Sequence, residues 1–150
     1  GIPQLYYGTE LWMKNFKDPN DGMVRLDFPG GFPNDEKDKR MASGRDQTEN
    51  TAFNYVKTLA NFRKTNTALQ TGKMMQWLPN DGLYVYFRYD QGSTVMIILN
   101  TSNKTKSVLL SNYGERTNGF KGFKDVVTGV LGVNKIDLAP MESRVVLLTK

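Results

Sequence analysis

The chain has no cysteine and no histidine. Without thiols it has neither disulfides nor thiolate metal sites, and because an oxidising space permits disulfides without requiring them, the compartment stays open. Without imidazole it lacks the commonest metal ligand and any histidine-based triad, general base or proton shuttle, so no metal and no cofactor is expected. Long apolar runs are missing too. The longest is Val95-Met96-Ile97-Ile98-Leu99, far below the ~18 residues of a membrane span. The opening Gly1-Ile2-Pro3 shows neither the basic region nor the apolar core of a signal peptide. Charge of one sign is not concentrated: 20 Lys and Arg against 15 Asp and Glu give a net charge of +5. The densest stretch, Asn34 to Arg40, mixes both signs, so it reads as a solvated loop, and nucleic acid is not an expected partner.

What is present divides by period. Pro3 straightens the backbone around it, and Leu5, Tyr6 and Tyr7 read as a short strand buried on both faces. Gly8 ends it with a sharp turn that delivers Thr9, Glu10 and Trp12. From Asp18 to Arg45 the sequence is rich in Pro, Gly, Asn and Asp without sustained period, which predicts a long loop. Asp46 and Glu49 then stand at the spacing that satisfies free amides at a helix start. An apolar stripe of Phe53, Val56 and Ala60, flanked by Ala52, Leu59 and Phe62, predicts a helix over 46–65.

After Gly72 the period changes to that of strands, expected over 74–78, 83–89, 94–100, 105–110, 124–128, 133–138 and 144–149, with turn residues between them. Short strands at this spacing predict an antiparallel β-sandwich of Greek-key type. Thr94 to Leu99 lacks alternation and should be central, with the 144–148 run as its neighbour. Ser111 to Gly122 reads as a long loop. In Leu83 to Phe87, Tyr84 and Tyr86 alternate with Leu83, Val85 and Phe87, so one set belongs in the core and the other on the outer face or an interface.

Several of these stretches resemble the α-amylase family of glycoside hydrolases, closest to its cyclomaltodextrinase and neopullulanase members. They are the opening Gly-x-Pro-x-x-Tyr-Tyr-Gly-x-Glu, Asp18-Pro19, Arg25-Leu26-Asp27-Phe28-Pro29-Gly30-Gly31, Asn61-Phe62-Arg63-Lys64 and Asp81 to Tyr89. The resemblance implies an α+β, mainly β fragment. Residues 1–70 would be the last strand, loop and helix of a (β/α)8 barrel, and 73–150 a carboxyl-terminal β-sandwich. It also implies a parent enzyme that hydrolyses α-1,4-glucosidic bonds in starch-type glucans or cyclomaltodextrins.

Glycosidases of this type need two facing carboxyl groups, which the resemblance places on earlier barrel strands. No pair of acids in this sequence has a spacing that argues for convergence, so the expected catalytic set is empty and the fragment is expected to be inactive. Glu10, Asp18 and Arg25 are the substrate-binding candidates, because they follow the strand's carboxyl end, where barrel sites are built, and charged groups bond strongly to sugar hydroxyls. Their structural alternative is that Glu10 braces the loop and Asp18 pairs with Arg25. The expected partners are an α-glucan, met through the parent enzyme, and a second copy, through the unpaired barrel segment. The alternative function is a self-contained carbohydrate-binding or interaction module.

Overall fold

The strand-rich half forms around one hairpin. In the computed structural model, which describes residues 2–150, β2 (Leu83–Tyr89) and β3 (Thr94–Asn100) pair antiparallel from Tyr89↔Thr94 to Leu83↔Asn100. Asp90 makes the turn between them: its Oδ1 accepts from the amides of Gly92 and Ser93, both at 2.8 Å. β3 is buried almost end to end, as its unbroken apolar run requires, and its other neighbour is β8 (Ser143–Thr149). With β1 (Lys73–Gln76), β5 (Gly122–Asp125) and β6 (Leu131–Gly132) they build a six-stranded sheet ordered β1-β2-β3-β8-β5-β6. A second sheet pairs β4 (Lys106–Leu109) with β7 (Lys135–Leu138).

Strand alternation sorts the side chains. Val85, Phe87, Met96, Ile98, Phe123, Val146 and Leu148 share one face of the large sheet and form a single core with Val108, Ile136 and Leu138 of the small one. Each such side chain contributes about 1.5–3 kcal/mol on burial. Trp77 closes this core, with ring centroids 5.3 Å from Phe87 and 5.1 Å from Tyr113. The opposite face carries Tyr84, Tyr86, Ile97 and Leu147. The two tyrosine rings lie 5.5 Å apart at 30°, and Tyr84 donates to Gln76 Oε1.

Some expected elements are displaced. β5 ends at Asp125 rather than running to Thr128, because the buried Asp125 carboxylate accepts from the amides of Val127 (2.9 Å) and Thr128 (2.7 Å) and turns the chain there. The expected 133–138 strand is β7, which starts only at Lys135, and the two-residue β6 before it lies outside the expected range. The loop expected over 111–122 contains a 3-10 turn, Leu110–Tyr113, and a one-turn helix, α3 (Gly114–Thr117). The Thr117 hydroxyl ties that helix back to Leu110 O at 2.7 Å.

The 46–65 helix is α1 (Gln47–Thr65), and its start is reciprocal: Asp46 Oδ1 accepts from the Glu49 amide (2.8 Å) and Glu49 Oε2 from the Asp46 amide (3.0 Å). Its last carbonyls, Arg63 O and Lys64 O, each accept from Gln70 Nε2 at 2.9 Å. Gln70 closes the short helix α2 (Thr67–Gln70). Of the expected stripe, Ala52 is buried, Phe53, Val56, Leu59 and Phe62 are half-buried, and Ala60 is exposed. The chain falls into two units, residues 1–57 and 58–150.

The first unit departs most from expectation. Leu5, Tyr6 and Tyr7 form no strand and are 63%, 55% and 44% exposed. A strand exists only where its amides and carbonyls pair with a neighbour, and among the described residues no strand lies before β1 at Lys73. Gly8 does turn sharply, at φ 83°. Its carbonyl accepts from the Leu11 and Met13 amides, which folds Thr9–Leu11 into a 3-10 turn and buries Leu11.

Candidate functional site

The candidate site is the loop from Gly8 to Arg45. The Tyr7 hydroxyl donates to Leu26 O at 2.8 Å, linking the opening run to the segment after Arg25. Asn20 caps a second 3-10 turn, Asp21–Val24, by accepting from the Gly22 amide at 2.9 Å. Asp35 Oδ2 then gathers the Phe28-Pro29-Gly30-Gly31-Phe32 run into a turn, accepting from the Gly30 (2.8 Å) and Phe32 (3.0 Å) amides. Gly30 has φ 123°, and a Cβ there would lie 2.3 Å from Asp38 Oδ1, so only glycine fits.

The charged run 34–40 is more than a solvated loop. Asp38 takes a two-pronged contact from Arg40, Nε at 2.9 Å and Nη2 at 2.8 Å, and this guanidinium hydrogen bond holds its carboxyl below the usual carboxylate range. Lys39 pairs with Glu49, which is likewise held low, first by that ammonium and then by the Asp46 amide. Arg45 binds the carbonyls of Lys39 (2.9 Å) and Arg40 (3.1 Å) while its guanidinium lies 3.9 Å from the centroid of the Phe53 ring. Asn50 Nδ2 donates to the carbonyls of Ala42, Arg45 and Asp46. Lys39, Arg45 and Asn50 thus anchor the loop to the start of α1. Sequence reasoning missed them because the partners are set by the path of the loop, not by a repeat.

Glu10 lies half-buried in the first 3-10 turn; Asp18, joined to Pro19 by a cis peptide bond, is exposed, and so is Arg25, which caps the second turn. Among the described residues none of the three has a side-chain hydrogen bond or ion pair, so neither the Asp18–Arg25 pair nor a Glu10 brace forms. They stand unengaged on a loop whose neighbours are fixed. Chemically this arrangement offers one cation and two carboxylates to hydroxyl-bearing ligands. Among the described residues no group of three or more acidic side chains is placed to hold a metal ion, and no helix is long and apolar enough to cross a membrane.

Residues 74–147 match the family model of the cyclo-malto-dextrinase C-terminal domain. Over 140 residues the chain is 29% identical to a cyclomaltodextrin glucanotransferase of Thermoanaerobacterium thermosulfurigenes, covering 93% of this chain and 17% of that protein. Over 138 residues it is 31% identical to an α-amylase of Niallia circulans, covering 91% and 22%. Thus the chain spans about a fifth of the length of these relatives. Among solved structures, the α-amylase of Geobacillus thermoleovorans complexed with acarbose matches all of this chain and 30% of its own, with a TM-score of 0.70 and 22% identity, a likeness of fold. Residues 74–147 thus carry the likeness to a cyclo-malto-dextrinase C-terminal domain, and along nearly its whole length the chain is similar to enzymes of the α-amylase family.

Proposed function

We propose that this chain is a non-catalytic portion of an enzyme that hydrolyses α-1,4-glucosidic bonds in starch-type glucans or cyclomaltodextrins. Residues 1–70 complete its barrel as the last strand, active-site loop and last helix, and 73–150 form the Greek-key sandwich that follows. One observation carries this reading. Among the described residues the first unit buries only Leu11 and Ala52 of its large or apolar side chains, while Ile2, Leu5, Tyr6, Tyr7, Trp12, Phe16, Met23, Val24, Leu26, Phe32, Met41 and Tyr55 are exposed. An apolar set of this extent calls for a covering surface. Further barrel strands supply one, and they would give the Leu5–Tyr7 run the neighbours it needs to become a strand. In a solution of the isolated chain the alternative cover is a second copy, so the chain is expected to self-associate through this unit.

In that setting Glu10, Asp18 and Arg25 contact sugar hydroxyls and the reacting acids come from elsewhere in the barrel. The test joins the chain to the first seven strands of an α-amylase-family barrel and follows maltoheptaose hydrolysis. Glu10→Ala, Asp18→Ala and Arg25→Ala should each raise KM about ten-fold, the loss of one charged hydrogen bond, with kcat much less affected. An active fusion whose KM ignores all three substitutions overturns the assignment.

A further inference from the structure

The turn after β2 borders a cavity of about 440 Å3 lined by Thr71, Gly72, Lys73, Tyr89, Asp90 and Gln91, within the roughly 300–1,000 Å3 of small-molecule sites. Its wall is built rather than incidental. Asp90 has both oxygens engaged, Oδ1 by the Gly92 and Ser93 amides of the turn and Oδ2 by the Thr67 hydroxyl of α2. The Arg116 guanidinium sits 4.2 Å from the centroid of the Tyr89 ring and fixes it. Gly72 lets the start of β1 close on Tyr89, since a Cβ there would lie 2.4 Å from Ala68 O and 2.7 Å from Tyr89 O.

Around this frame stand free valences. Among the described residues, the Thr71 hydroxyl, the Lys73 ammonium, the Tyr89 hydroxyl and the Gln91 amide have no side-chain hydrogen bond or ion pair, though all four line the cavity. The one ammonium and the one carboxylate cancel, so the cavity favours neither cations nor anions. A neutral ligand dense in hydroxyls, with an apolar face to set against aromatic carbon, fits both the polarity and the volume. We propose that this cavity binds a hexose unit of an α-1,4-glucan, a contact made by a different set of residues from Glu10, Asp18 and Arg25. The choice of α-glucan rests on the proposed function; the sugar class rests on the cavity itself.

The test is an amide chemical-shift titration of the 150-residue chain with maltoheptaose, with cellohexaose in parallel. Maltoheptaose should shift the amides of Thr71 to Lys73 and Tyr89 to Gln91. Lys73→Ala and Gln91→Ala should each weaken that response about ten-fold, with unchanged spectra elsewhere showing that the fold survives. No response at these amides with either sugar, or a response that ignores both substitutions, overturns the site while leaving the hydrolytic reading to the fusion assay. A response to cellohexaose equal to or stronger than that to maltoheptaose overturns the α-glucan assignment.

Discussion

Asn100 ends β3 almost fully buried, at 2% exposure, with every valence of its amide in use. Nδ2 donates to Lys104 O (2.8 Å) and Ala139 O (2.7 Å), and Oδ1 accepts from the Ser102 amide (3.1 Å) and hydroxyl (2.7 Å), so one side chain clips the turn after β3 to the turn after β7. Each net hydrogen bond contributes about 0.5–1.5 kcal/mol, which gives a gross range of about 2–6 for four. Lys104 and Ala139 are exposed residues whose carbonyls can turn to water, which favours the lower half, so Asn100→Ala should cost about 2–4 kcal/mol. For a unit the size of Thr58–Lys150 that is a fall in Tm of roughly 10–30 °C. Urea unfolding followed by circular dichroism should show the midpoint move and the slope stay.

Asn100→Asp sharpens the test, because a carboxylate cannot donate and would face two carbonyl oxygens. Burial and those oxygens raise its folded pKa above the unfolded value, so stability should fall as pH rises and recover as the carboxyl protonates. At neutral pH this variant should be less stable than Asn100→Ala, with the gap closing toward pH 4. Equal stability of the two across that range would show that the Asn100 amide does not hold the two carbonyls. The same geometry also bears on the Asn100-Thr101-Ser102 glycosylation pattern in the sequence: the Asn100 amide nitrogen is consumed by the fold.

Asp125 is 4% exposed, and although burial pushes its carboxyl up, the amide and hydroxyl of Thr128, Arg144 and the Val127 amide together hold it below the ordinary value. It therefore adds stability above the unfolded carboxylate range, lost as pH falls through its folded pKa. Asp125→Asn should flatten the acid limb of a stability–pH curve and cost about 1 kcal/mol at pH 7, because Arg144 is partly exposed and keeps its ion pair with Glu142 at 2.8 Å; an unchanged acid limb would count against this. Asp46→Ala removes one half of the reciprocal cap of α1 and should cost about 1 kcal/mol, read as a lower urea midpoint of the helical signal. Trp12→Ser with Phe16→Ser, at positions 62% and 85% exposed, should leave the unfolding midpoint within about 0.5 kcal/mol and weaken self-association in sedimentation. A chain that is already a monodisperse monomer sinks that last expectation.

Where local chemistry decides structure, the sequence was readable. β2 and β3 have the expected bounds because the Asp90-Gln91-Gly92 turn and the unbroken 95–99 run act within a few residues, and α1 begins where Asp46 and Glu49 stand at capping distance. The pairing of β3 with β8 followed from two apolar runs that both needed a central place. Long-range events were not readable. Whether Leu5–Tyr7 becomes a strand depends on neighbours that periodicity cannot supply, and β5 stops where the buried Asp125 side chain takes over two backbone amides. In the site, Glu10, Asp18 and Arg25 stood out by their charge and their place after the expected strand, within a barrel that the resemblance implied. The Lys39–Glu49 pair and the Arg45–Asn50 anchor emerge only once the loop has closed on α1.

In the proposed reading this polypeptide supports α-glucan chemistry without performing it. Release of reducing ends from maltoheptaose and cyclomaltodextrin by the purified 17.0 kDa chain tests that most directly, and no release above the blank is expected. Turnover that follows the chain through successive orthogonal purifications and disappears in Glu10→Gln would contradict it.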